Sequence, residues 1–203
     1  YRRRLLPLLR YADLDAAERG QSALITLPGL GCGQFAGAFA GRLGEALKDT
    51  LIALLEQHAG EFPNIRLVYY DPYSECRNER HDIGALSLRV RPLLQGNVER
   101  PQLCAPTEYA EPGDDFSDSR LYSIVAWDPV SWPGNDYWGG VRITDDGVKA
   151  AASDLMRAIT GLEGRYDRRA NGYQPPDSSP TWEALVQEQG TQLQVRDRLR
   201  ILS

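Results

Sequence analysis

The chain has 203 residues, of which 42% are hydrophobic and 25% charged, and carries a formal net charge of −5. That length suits a single α/β domain with a core large enough to need no covalent staple. The acidic balance argues against a duplex-binding groove, no apolar stretch is long enough to cross a bilayer, and two histidines (His58 and His81) exclude a His-rich metal site.

The opening "YRRRLLPLLRYADLD" is basic and then apolar, but Pro7, Arg10 and Asp13 interrupt it. This is too broken for a secretory core, and the spacing predicts an amphipathic helix over residues 3–18. There is no initiator Met, so the chain reads as an excised domain. "SALITL", residues 22–27, is predicted to be a buried strand bounded by Pro28 and Gly29. Residues 36–58 show helical periodicity, with Ala36, Phe39, Ala40, Leu43, Leu47, Leu51, Leu54 and Leu55 on one face. Gly37, Gly41 and Gly44 weaken that helix and are expected to serve close packing on a sheet. "NIRLVYYD", 64–71, is a second strand. Strand, helix, strand makes a βαβ unit and predicts a parallel pair.

Within 72–119, "LSLRVRPLL" is a candidate strand and "APTEYAEPGDDFSDS" an acidic loop. "RLYSIVAWD", 120–128, is a third strand. "PVSWPGNDYWGGVRITDDG" reads as a long loop, and "DDGVKAAASDLMRAITG" as a helix capped by Thr144 or Asp145, with Gly161 past its end. Residues 165–180 read as a polar loop and "TWEALVQEQ" as a short last helix. Cys32, Cys76 and Cys104 are odd in number and widely spaced, which shows no metal or disulfide framework and points to a reducing, cytosolic compartment.

Two stretches carry chemistry. The first is "LPGLGCGQFAG", where an apolar strand meets Gly29, Gly31 and Gly33 and a helix start. That order suits a phosphate held by backbone N–H groups. "GCGQFA" formally fits G-x-G-x-x-A, but the acid closing the second strand, Asp71, stands 35 positions beyond Ala36, too far for a compact dinucleotide unit. No Walker loop follows. No Lys or Arg lies between Gly20 and Gly41, so a diphosphate there must be held by loop amides and a helix dipole. The bland alternative is a glycine turn needed only for packing.

The second stretch, "AWDPVSWPGNDYWGGVRITDDG", holds Asp128 at a strand end, Asp136 before Gly139-Gly140, and Asp145 and Asp146 at a helix start. Strand ends and helix starts share one edge of a parallel α/β sheet, so both glycine loops and three carboxylates are expected to converge there. Capping explains Asp145. For Asp128 and Asp136, flanked by Trp127, Trp132, Tyr137 and Trp138, a functional reading is preferred to turn formation.

On these residues the chain resembles the macrodomains, the ADP-ribose-binding family. "LPGLGCGQFAG" is similar to the family's phosphate loop and "NDYWGGV" to its loop near the terminal ribose, in reversed chain order. Asp128, Asp136 and Asp146, spaced eight and ten positions apart, resemble the acidic trio of MavL-like arginine-specific ADP-ribosyl hydrolases. The G-G-G-x6-8-Q-E-E signature of poly(ADP-ribose) glycohydrolases is missing. The resemblance covers roughly residues 22–70 and 120–160.

It implies a three-layer α/β/α sandwich with a mixed, mainly parallel central sheet, formed by residues 1–203 as one domain. It implies hydrolysis of the bond between C1″ of ADP-ribose and an arginine guanidinium on a modified protein, with ubiquitin as the suggested protein. The trio would be catalytic. Gly29, Leu30, Gly31, Cys32, Gly33, Gln34, Phe35, Tyr137, Trp138, Gly139 and Gly140 would contact ADP-ribose, as ligand or product. No cofactor and no metal are expected, nor a nucleic-acid or membrane partner. The protein would act as a monomer in the cytosol of its own cell or of a host.

The chemistry is coherent. A guanidinium is planar and always cationic, and carboxylates bind it in a bidentate way. Ribosyl cleavage passes through an oxocarbenium-like state that a nearby carboxylate stabilises. One acid can activate water while another holds or protonates the leaving guanidine. Two other classes use the same residues: a non-catalytic ADP-ribose reader, which needs the loops but not the trio, and a hydrolase whose carboxylates hold Mg²⁺.

Overall fold

The computed structural model describes residues 1–125, 137–138, 141–142, 155–167, 169, 172–176 and 181–190. Its centre is a five-stranded sheet of order β3-β4-β2-β1-β5, built from β1 (Ser22–Pro28), β2 (Ile65–Asp71), β3 (Glu79–Ile83), β4 (Leu86–Val90) and β5 (Ser119–Ser123). β1 is parallel to β2 and β5, β2 is parallel to β4, and β3 alone runs antiparallel, against β4. The predicted parallel β1–β2 pair is therefore present. Every residue of β1 is buried, as a strand covered on both faces requires.

Alternate side chains of the strands feed two clusters. Ala23, Ile25, Leu27, Ile65, Val68, Tyr70, Leu88 and Val90 meet α1 (Arg2–Glu18) and α2 (Leu43–His58) on one face. Leu24, Leu67 and Tyr69 meet Tyr109 and Phe116 on the other. α1 buries Leu5, Leu9, Ala12 and Ala16, one helical stripe, and leaves Arg2, Arg3 and Arg4 exposed. Its buried carboxylates tie it to the sheet. Asp13 accepts from the Asn64 backbone N–H at 2.8 Å, just before β2, and Asp15 accepts from the Tyr122 hydroxyl of β5 at 2.9 Å.

Several predicted elements need correction. The helix expected over 36–58 begins only at Leu43. Before it, Gln34–Phe39 form 3-10 turns broken at Gly37 (φ 54°, ψ −129°), and Gly41 has φ 76°. A Cβ at Gly37 or Gly41 would meet nothing within 4 Å among the described residues. These two glycines thus serve left-handed backbone rather than close packing. Gly44 does serve packing, since a Cβ there would lie 2.6 Å from Glu75 Cβ.

Strand β3 was not predicted, because "ERHDI" is charged and only part-buried, as an edge strand permits. β5 ends at Ser123, short of the 120–128 expected, and residues 126–128 lie outside the described residues. The acidic loop contains a 3-10 turn, Pro106–Tyr109. The long loop contains two short paired strands, β6 (Tyr137–Trp138) and β7 (Val141–Arg142), in a separate sheet.

Residues 155–160 are helical (α3) and end with Gly161 at φ 72°, whose N–H donates to the Arg157 carbonyl at 2.8 Å. Residues expected to be a plain loop include a hairpin, β8 (Arg165–Asp167) with β9 (Gly172–Gln174). The last helix, α4 (Trp182–Glu188), is capped by Thr181, whose hydroxyl accepts from the Ala184 N–H. Among the described residues, no helix is long and apolar enough to cross a membrane.

Candidate functional site

The parallel strands β1, β2, β4 and β5 end at one edge of the sheet, where α/β folds bind ligands. The glycine loop leaves β1 there. The Cys32 N–H donates to the Gly29 carbonyl at 2.9 Å, closing a four-residue turn with Gly31 at its third position and φ 85°. A type II turn demands positive φ at that position, which is why a glycine stands there. Gly29 is needed for a different reason. A Cβ there would lie 3.0 Å from Pro72 Cα and 3.0 Å from Cys32 Sγ, so the chain leaving β2 packs directly on the loop.

A Cβ at Gly33, by contrast, would meet nothing within 4 Å among the described residues. Gly33 has φ −83° and ψ −137° at the start of the Gln34–Phe39 turns. Its N–H and that of Gly31 have no hydrogen-bond partner among the described residues, and the first amides of any such turn lack an internal acceptor. The loop thus presents backbone donors at the ligand edge. The first cation past it, Arg42, is turned elsewhere, donating to the Ala38 carbonyl at 2.9 Å with its guanidinium 5.5 Å from the Phe39 ring centre.

Beneath the loop lies a polar floor that sequence reasoning missed. The Tyr70 hydroxyl donates to the Gly44 carbonyl at 3.0 Å. Burial raises its pKa above the ordinary phenol value, and the neighbouring Cys32 and Cys76 add to this. Burial also pushes the Cys76 thiol up to about 12, with Glu45 contributing. The Tyr1 hydroxyl donates to the Leu30 carbonyl at 2.8 Å, so the start of α1 braces the loop. Glu75 accepts from two amides at the start of α2: Gly44 N–H at 2.7 Å and Gly41 N–H at 3.2 Å. The helix start expected to help hold a phosphate is therefore filled by an internal carboxylate. No local pattern could reveal this, because Glu75 lies 31 and 34 positions from those amides.

β5 leaves the sheet beside this loop. Thr26 pairs with Ser123, and the Ile124 N–H donates to the Thr26 carbonyl at 2.8 Å. The Thr26 hydroxyl donates to Ser123 Oγ at 2.9 Å, which donates to Gln102 Oε1 at 3.0 Å. Gln102 and Thr26 are fully buried, so the exit is bolted in place.

Asp128, Asp136, Asp145, Asp146, Gly139 and Gly140 lie outside the described residues. Tyr137 and Trp138 form β6, facing Arg142 and Val141 of β7. The side chains of Gln34 and Phe35 are also outside the description. Among the described residues, no cluster of three or more His, Cys, Asp or Glu could hold a metal ion.

No curated protein matches the chain. A family model, described as the macrodomain effector MavL, matches residues 1–179. The match takes in both the glycine loop and the acidic trio. With the mixed, mostly parallel sheet it establishes the three-layer α/β/α class, and it supports ADP-ribose-related binding and hydrolysis at a coarse level. The chain belongs to the MavL family of macrodomain effectors.

Proposed function

We propose that the protein removes ADP-ribose from modified arginine side chains by hydrolysing the C1″–guanidinium bond. One observation carries the reading beyond the family. The segment that runs on to Asp128 leaves the sheet hydrogen-bonded to the strand that bears the glycine loop, at the edge where the loop presents free amides. A diphosphate on those amides and a cation on the carboxylates is the charge pattern of ADP-ribosyl-arginine. Asp128, Asp136 and Asp146 are the acids that would orient water, stabilise the oxocarbenium and hold the leaving guanidine. ADP-ribosylated ubiquitin is the first protein substrate to try.

The test is single-turnover release of ADP-ribose from arginine-, serine- and carboxylate-linked substrates, with and without chelator, by the wild type and by Asp128→Asn, Asp136→Asn and Asp146→Asn. Arginine-linked substrate is expected to be cleaved fastest. Each Asn variant should lose about 10²–10⁴-fold in rate, while affinity for free ADP-ribose falls far less. Tight binding with no cleavage by the wild type would make the protein a reader. Loss of activity with chelator would give the acids a metal-holding role.

A further inference from the structure

The Glu75 carboxylate stands where the glycine loop runs on into α2, accepting from the Gly41 and Gly44 N–H groups, and the fold works to keep it there. Gly41 has φ 76°, and Gly44 leaves no room for a Cβ against Glu75, so both amide donors depend on being glycine. The loop carrying Glu75 is itself strained. Tyr73 (φ 61°) and Cys76 (φ 64°) adopt left-handed backbone without being glycines. Asp71 holds that loop by accepting from the Tyr73 and Leu93 N–H groups at 2.8 Å each. The same loop begins with Pro72, packed on Gly29.

We propose that Glu75 sets the charge specificity of the glycine-loop site. By filling the amides at the start of α2, it closes that helix end to phosphate. By holding a negative charge beside the loop, it keeps the grip on a diphosphate weak, so that product leaves readily, and it disfavours any further phosphate. This rests on reading the loop as a diphosphate cradle.

The experiment is calorimetric titration of the full chain, wild type and Glu75→Gln, with ADP-ribose, pyrophosphate and adenosine at low and high salt. Gln keeps a carbonyl acceptor for the Gly44 N–H but removes the charge. Glu75→Gln should bind ADP-ribose and pyrophosphate about five- to tenfold tighter at low salt, with the gain shrinking as salt screens the charge. Adenosine should bind both proteins equally. Glu75→Asp, which keeps the charge, should bind as weakly as the wild type, and circular dichroism should show both variants folded. Equal or weaker ADP-ribose binding by Glu75→Gln overturns the proposal. So does an equal gain for adenosine, which would mark a change of shape rather than of charge. If pyrophosphate gains but neither protein binds ADP-ribose, Glu75 keeps its role and the ADP-ribose reading falls. If no anion binds at all, both fall.

Discussion

Gly29, Gly31 and Gly33 look alike in the sequence, and the structure gives each a different task. Gly29 allows contact with Pro72, Gly31 supplies the positive φ of the turn, and Gly33 leaves an open approach to the loop. Their substitutions should therefore separate. Gly29→Ala pushes a methyl against backbone at 3.0 Å and should cost roughly 1–3 kcal/mol of stability, read as a lower urea midpoint. Gly33→Val, whose Cβ meets nothing within 4 Å among the described residues, should weaken ADP-ribose binding in calorimetry by more than it lowers the midpoint, because the branched side chain blocks a close ligand. A Gly33→Val protein that binds normally would show that the ligand does not approach the backbone here. A matching loss from Gly29→Ala and Gly33→Val in both assays would mean that the loop serves packing alone.

Among the elements, those legible in the sequence are the ones whose local pattern and tertiary environment agree. "SALITL" is mostly apolar and becomes the central strand, buried throughout. Leu47, Leu51, Leu54 and Leu55 keep their helical stripe against the sheet. The misreadings arise where a non-local partner decides. Periodicity ran through Gly37 and Gly41, whose backbone angles end it. β3 is charged and exists because β4 offers it an edge. At the site, the glycine loop was legible because glycine marks special backbone, whereas Glu75, Tyr1 and Pro72 reach it from far along the chain and carry no local mark. The acidic loop over the second face is also held from afar. Arg89 of β4, 1% exposed, donates to both Asp114 oxygens at 2.6 and 2.7 Å, and Arg91 donates to both Glu111 oxygens at 2.7 and 3.0 Å. Arg89→Met removes one member of a buried pair and should cost about 3–5 kcal/mol, measured by urea denaturation. Arg89→Met with Asp114→Leu, which removes both charges, should recover much of that loss. If the double variant is no better than the single, the pair is not what holds the loop.

Across the molecule, the same ion pairs set its response to acid. Hydrogen bonds from Arg19, Lys48, Arg80 and Arg89 hold Asp15, Glu79, Asp82 and Asp114, respectively, below their ordinary values. Burial pushes Glu111 up, but Arg91 outweighs it and the net shift is down. A carboxylate depressed in the folded state contributes stability above its unfolded value. That contribution is lost as pH falls through the folded one. The unfolded values are 3.8 for Asp and 4.5 for Glu, so urea midpoints should hold from neutrality to about pH 5 and then fall steadily. A midpoint unchanged at pH 3 would show that these pairs contribute nothing to folding. The place of β1 between β2 and β5 has a consequence for the newborn chain. Its partner residues on β5 lie 97 positions later, as in Ser22 with Ser119. At typical rates of about 5–20 residues per second, that strand follows β1 out of the ribosome by roughly 5–20 seconds. Through that interval this buried central strand offers one bare hydrogen-bonding edge to whatever chain is nearby. Translation speed through the hundred residues after β1 is therefore a determinant of yield, and a chain cut short before Ser119 should stick to its own kind.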